Sequence, residues 1–184
     1  MAINLQKGQR VELGLQKAGI GLGWDPNEGT GSDFDLDASA FMLNAQGKIP
    51  NEKYFVFYNN QKSPCESVES EGDDLTGGSS DGDDETLNVE FAKIDPQITE
   101  IVIVVTIHEY DVRKQNFGQV RNSFIRIYDS TTNEEICKYE LDEDFSIESA
   151  VEFGRLYKKD GGWRFEAVGV GYTGGLNHFV QKYG

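Results

Sequence analysis

Residues 101–107 read Ile-Val-Ile-Val-Val-Thr-Ile, an apolar run dominated by β-branched side chains. Such side chains are stiff about χ1 and sit well on a pleated, extended chain. A strand with one wet face would alternate apolar and polar residues. This run does not, which predicts a strand covered on both faces and hence a layered fold around it. It is the longest apolar run in the chain, and it falls far short of the roughly 20 residues a membrane-spanning helix needs. No basic segment followed by an apolar one succeeds Met1, so nothing here marks export. The two cysteines, Cys65 and Cys137, are too few for a disulfide scaffold and fit a reducing compartment. The expected location is the cytoplasm.

Most other segments also read as strands. Residues 54–58, Tyr-Phe-Val-Phe-Tyr, form a β-rich run ended by Asn59 and Asn60. Residues 124–128 and 135–139 flank a polar turn and predict a hairpin. A second hairpin is signalled by residues 151–157, a Lys-Lys-Asp-Gly-Gly turn at 158–162, and residues 163–168. Residues 11–15 and 19–24 supply further strands. Helical signals are short: two turns each at 109–115 and 176–183, the second preceded by Gly174 and Gly175. The 184 residues, with eleven Phe, eight Tyr and two Trp, suffice for a substantial core. The expectation is a mainly β chain: one β-sandwich domain over residues 1–184, with a few short helices and long acidic loops.

The formal charge of −15 is unevenly spread. Residues 18–47 hold five acids (Asp25, Glu28, Asp33, Asp35, Asp37) and residues 63–92 hold ten, with no Lys or Arg in either stretch. The remaining 17 acids and 17 bases balance, so the whole net charge lies in these two stretches. Such a surface repels the phosphates of nucleic acid and anionic lipid, which disfavours DNA, RNA and bare membrane as partners. Like charges this dense need solvation or cations, and the cations must be metal ions or bases from elsewhere in the chain.

In residues 33–40, Asp-Phe-Asp-Leu-Asp-Ala-Ser-Ala, apolar and acidic residues alternate. Read as a strand, this sets Asp33, Asp35 and Asp37 on one face and Phe34, Leu36, Ala38 and Ala40 toward a core. Residues 72–85 are a loop by composition, with glycines that permit tight turns and let several oxygens converge. Hard oxygen donors in a flexible cage suit calcium better than magnesium, which demands a stricter octahedron. Zinc is disfavoured, because the two His and two Cys show no zinc spacing. The opening Asp33-x-Asp35-x-Asp37 is like an EF-hand loop, but Ala38 stands where Gly is required and Asn44 where Glu is. A solvated acidic loop explains residues 72–85 as well as a metal does. The aspartates on a strand are harder to explain that way, because Asp is depleted in strands.

These residues also carry a resemblance. Gly21-Leu22-Gly23-Trp24-Asp25, the aspartates at 33–37, Phe57-Tyr58-Asn59-Asn60 and the loop at 72–85 are similar to the tellurium-resistance TerD family. So are Gln115-Asn116-Phe117-Gly118-Gln119-Val120, Phe124-Ile125-Arg126 and the segment from Ala167 to Leu176. The match runs in order from near Leu5 to Gly184. It implies a β-sandwich with calcium held by acidic loops, encoded in stress and tellurite-resistance gene clusters beside paralogues and an integral membrane protein. Carried over by position, it points to Asp73, Asp83, Asp84 and Glu85 with Asp33, Asp35 and Asp37, and to Asn59 and Asn60 as carbonyl donors. The loop departs from the family pattern at Asp74, where Asn is usual, and by one extra residue between Thr76 and Gly82, which leaves the roles of Asp74 and Asp81 open.

Other groups offer less. His108-Glu109 has no nucleophile at a recognisable spacing. His178 reads as structural or exposed. Acidic neighbours should raise the pKa of Cys65, and Cys137 reads as a small buried hydrophobe. Gly169-x-Gly171-x-x-Gly174 matches the spacing of a dinucleotide fingerprint but lacks its βαβ context, so the glycines read as close packing and a turn. The expectation is a non-enzymatic Ca2+-binding module of a bacterial stress or tellurite-resistance system. Its ordered acidic loops would dock a paralogue or a membrane-protein partner from the same gene cluster. Two alternatives compete: a metal-dependent hydrolase, or an acidic interaction domain without metal.

Overall fold

A computed structural model of the chain describes residues 2–26, 29, 31–71, 83–141 and 145–184. Its strands are β1 (Ile3–Leu5), β2 (Arg10–Leu13), β3 (Lys17–Gly23), β4 (Leu36–Leu43), β5 (Phe55–Val56), β6 (Val68–Ser70), β7 (Glu85–Glu90), β8 (Glu100–Ile107), β9 (Phe124–Asp129), β10 (Glu135–Glu140), β11 (Ala150–Lys159) and β12 (Gly162–Tyr172). Two helices join them, α1 (Tyr110–Arg113) and α2 (Gly175–Tyr183). One sheet has the order β1-β10-β9-β3-β7-β6 and the other β2-β12-β11-β8-β4-β5. Pairing is antiparallel except between β1 and β10. The fold is a mainly β two-sheet sandwich with few, short helices.

The position of β8 explains its unbroken apolar sequence. It lies between β4 and β11 in the second sheet. Ile101, Ile103, Val105 and Ile107 enter the core between the sheets, against Ile20, Leu22, Leu87, Ile125 and Ile127 of the first sheet. Val102 and Val104 face the opposite way, into a second cluster with Phe41, Leu43, Phe55, Phe179 and Tyr183. Helix α2 therefore roofs the outer face of this sheet. Phe179 is fully buried there, and a side chain of this kind contributes about 1.5–3 kcal/mol by leaving water.

Both predicted hairpins form, β9–β10 and β11–β12. The second turns on Asp160 and Gly161, whose φ values of 53° and 80° suit a two-residue connection matched to strand twist. The run at 54–58 is shorter than its composition predicts. Only Phe55–Val56 is strand, because a 3-10 turn (Glu52–Tyr54) precedes it and main-chain bonds between Phe57 and Asn60 turn the chain back. Helix α1 is one turn rather than two, bounded by Glu109 and Lys114 in left-handed conformations. Strands β1 and β6, three residues each, are too short to announce themselves, whereas sequence reasoning missed β7 although Leu87 and Val89 alternate with Thr86, Asn88 and Glu90. The C-terminal glycines lie within β12 as well as after it. Gly169 (φ 64°) sits where a Cβ would come 2.1 Å from the Tyr139 hydroxyl, which is close packing as the spacing suggested. Among the described residues no helix is long and apolar enough to cross a membrane.

Candidate metal centre

The two acidic stretches meet where β4 and β7 begin. Strand β4 pairs with β8 from Leu36 onward, but with β5 only at Ala40 and Phe41. The first turns of β4 thus have a main-chain edge that β5 does not reach, and a buried N–H there needs an acceptor. At Ala38 it finds the carboxylate of Glu85, the first residue of β7 in the other sheet, at 2.5 Å. Glu85 is 7% exposed and ties the two sheets together at this edge.

Trp24 makes a second tie. Its main-chain N–H donates to Asp84 Oδ2 at 2.8 Å, and its indole N–H donates to the Phe34 carbonyl at 3.2 Å. The residue leaving β3 therefore holds Asp84 on one side and the approach to β4 on the other. Asp35 follows Phe34 directly, and its carbonyl accepts from the His108 N–H at 2.8 Å. Asp35 and Asp37 are each 6% exposed, and Asp37 Oδ2 lies 3.8 Å from His108 Nδ1. Asp35, Asp37, Asp84 and Glu85 each engage groups beyond these.

Asp83 has a different use. Its carboxylate takes a two-pronged grip from Arg126 of β9, with Nε at 2.9 and 3.0 Å and Nη2 at 2.6 Å. That hydrogen bonding raises the Arg126 pKa above the ordinary arginine value, against the opposing effect of burial. Gly21 of β3 makes room for the pair, since a Cβ there would come 2.4 Å from Asp83 Oδ2. The cation that the acidic stretches lack in sequence is here supplied, for one carboxylate, by a base 43 residues further on.

The reading of three aspartates on one strand face is corrected. Phe34, Leu36, Ala38 and Ala40 do enter the core, but the strand starts only at Leu36, so Asp33 and Asp35 precede it. Asp37 lies on the strand and is buried, because the outer face of this sheet is covered rather than wet. Asp33 is exposed, and its carbonyl accepts from Arg113 Nη1 and Gln115 Nε2, each at 3.3 Å. Asn60 uses its amide to hold the carbonyls of Lys53 and Phe55 at 3.1 and 2.7 Å, which closes the turn after β5. Asn59 is exposed in that turn, and no described contact joins it to the carboxylates. Asp73, with Asp74 and Asp81, lies outside the described residues.

The donor set gathered at this edge is carboxylate oxygen throughout, the chemistry of a hard cation such as Ca2+. Among the described residues no group of three or more His, Cys, Asp or Glu side chains is arranged to hold a metal ion by itself. Sequence reasoning missed Arg126, Trp24 and Gly21 as parts of this edge. The only signal for them lay in the longer motifs Gly21-Leu22-Gly23-Trp24-Asp25 and Phe124-Ile125-Arg126.

The cysteines are placed as follows. Cys137 is buried and its pKa is pushed up to about 12, chiefly by that burial. Cys65 departs from expectation. Burial raises its pKa, but hydrogen bonds from the Ser67 hydroxyl, the Asp95 main chain, the Ser63 hydroxyl and the Ser67 main chain together outweigh it, and the pKa falls. The local donors decide, not the acidic stretch that follows.

The fold and this edge define a β-sandwich in which two acid-rich stretches are fastened together across the sheets. The chain belongs to the TerD domain family, whose profile matches residues 1–183. It is 47% identical over 190 residues to General stress protein 16U of Bacillus subtilis (strain 168), covering all of this chain and 98% of that protein. It is 44% identical over 189 residues to Tellurium resistance protein TerD of Alcaligenes sp, with 100% and 98% covered. The fold is shared with the crystal structure of a homologue of telluride resistance protein (TerD), SCO6318 from Streptomyces coelicolor A3(2). That likeness has a TM-score of 0.71 at 20% identity, over 90% of this chain and 95% of the other. The chain is thus a member of a tellurium-resistance and stress-response family.

Proposed function

We propose that the chain is a non-enzymatic Ca2+-binding module acting in stress or tellurite resistance. The observation that carries this reading is the fastening of the two acidic stretches at one edge, with Asp35, Asp37 and Glu85 each under a tenth exposed. Like charges gathered at one buried edge repel one another even when each is hydrogen-bonded, and a cation relieves that repulsion. One or two of Asp35, Asp37, Asp84 and Glu85 would hold the ion together with Asp73 of residues 72–82, since no three of the described acids form a metal group by themselves. When bound, calcium would neutralise the repulsion between the stretches and order that segment. The ordered surface would then dock a paralogue or a membrane-protein partner in the cytoplasm.

The test is calorimetric titration of chelator-stripped protein with calcium and with magnesium. The expected result is saturable calcium binding, much weaker magnesium binding, and a loss of about tenfold or more (1.4 kcal/mol) in Asp37→Asn. No saturable calcium binding, or unchanged affinity in an Asp37→Asn/Glu85→Gln protein of native circular dichroism, would overturn it. An acidic docking domain without metal would instead bind its partner in a salt-sensitive way that ignores chelators.

A further inference from the structure

A third stretch of the chain has the opposite electrostatic character. Residues 112–128 contain Arg113, Lys114, Arg121 and Arg126 and no Asp or Glu, in a chain of net charge −15. Arg126 is consumed by Asp83, but the other three line a cavity of about 530 Å³ beside α1. Its wall also includes Asp25, Ser32, Phe34 and Gln115. Asp25 is the one carboxylate among the described lining residues, and the Asn122 amide donates to it at 2.6 Å.

Arg113 is partly engaged, with Nε 3.4 Å from Glu109 and Nη1 on the Asp33 carbonyl. Lys114 and Arg121 are exposed, and neither is in an ion pair among the described residues. Gln115 is 7% exposed and fixed in orientation, since its Nε2 donates to the carbonyls of Ser32 (2.7 Å) and Asp33 (3.3 Å). Its Oε1 is buried and accepts no hydrogen bond from the described residues.

We propose that this cavity is a binding site for a small organic phosphate. Guanidinium and ammonium groups converging on one hollow recognise phosphate oxygens. The volume lies within the roughly 300–1,000 Å³ typical of small-molecule sites and exceeds what a bare oxyanion needs. Lys114 and Arg121 supply the charge that selects the anion, and Arg113 stands beside them. The cavity borders the carboxylate edge and shares Phe34 with it, but the proposal does not rest on calcium binding.

The probes are ribose 5-phosphate, inorganic phosphate and unphosphorylated ribose, titrated at millimolar concentration into calcium-free protein and followed by amide chemical shifts. Saturable shifts centred on residues 113–121 are expected with ribose 5-phosphate, weaker ones with inorganic phosphate and none with ribose. Both ionic probes should lose affinity as salt rises. Lys114→Gln/Arg121→Gln, at exposed positions, should keep the fold and weaken ribose 5-phosphate at least tenfold. Gln115→Glu should also weaken it, by adding a like charge. Absence of saturable shifts with either phosphate, equal response to ribose, or unchanged affinity in the double variant would each overturn the assignment.

Discussion

The Asp83–Arg126 pair invites a quantitative test, because the structure shows what each partner retains when the other is removed. The side chains are 13% and 27% exposed, so the pair is neither a surface contact nor a fully buried one. Exposed pairs contribute about 0.2–1 kcal/mol and breaking a buried one costs about 3–5 kcal/mol. Three short contacts in a two-pronged geometry place the coupling between these limits, at about 1.5–2.5 kcal/mol. The two single substitutions should not cost the same. In Asp83→Asn, Arg126 keeps Glu135 at 3.8 Å and the Tyr128 ring at 4.5 Å, and the amide still accepts one bond. In Arg126→Met, Asp83 loses its charge partner inside the acidic stretch. We expect about 1–2 kcal/mol for the first and about 2–3 kcal/mol for the second, a fall of about 4–12 °C in Tm for a chain of this size. The assay is a double-mutant cycle by urea unfolding in the presence of chelator, which keeps any metal contribution out. Additivity within about 0.5 kcal/mol, or a larger loss in Asp83→Asn than in Arg126→Met, would refute the reasoning.

Three further outcomes are expected. Gly169→Ala should cost about 2–4 kcal/mol in unfolding experiments, because it adds left-handed strain and a methyl against the Tyr139 hydroxyl. The Tyr183 hydroxyl donates to the buried Glu152 carboxylate, and burial first, then this bond, raise its pKa above the ordinary 10.0. Its contribution is therefore complete below pH 10 and lost as pH climbs from there through the higher folded value. Tyr183→Phe should lose about 1–3 kcal/mol at neutral pH and show a shallower alkaline decline than the parent protein in urea titrations. Alkylation followed by mass spectrometry should modify Cys65 with a midpoint below pH 9 while Cys137 stays protected until the protein unfolds.

How far the sequence reveals the fold differs from strand to strand. The unbroken run of β8 announces burial on two faces, and the structure supplies both coverings: the opposite sheet and α2. The aromatic run at 54–58 misleads for a local reason. Its residues favour strands, but the Asn60 amide recaptures the Phe55 carbonyl and ends the strand after Val56. The alternation at 33–40 reveals which side chains enter the core. It does not reveal that the strand begins only at Leu36, nor that the polar face is covered. Both are set by Trp24, His108 and α2, which are distant in sequence. The acidic edge is legible as composition and as a family resemblance. The ties that assemble it, Glu85 to Ala38 and Arg126 to Asp83, span 47 and 43 residues and leave no local periodicity to read.

The most direct test of the central claim is the position of the ion. Crystals grown with calcium, and with a lanthanide in its place, would be examined by anomalous scattering. The account predicts a peak within about 2.3–2.6 Å of carboxylate oxygens from Asp35, Asp37, Asp84 or Glu85, at the edge where β4 and β7 begin. Density only at scattered surface acids, with that edge free of any peak at saturating calcium, would contradict it.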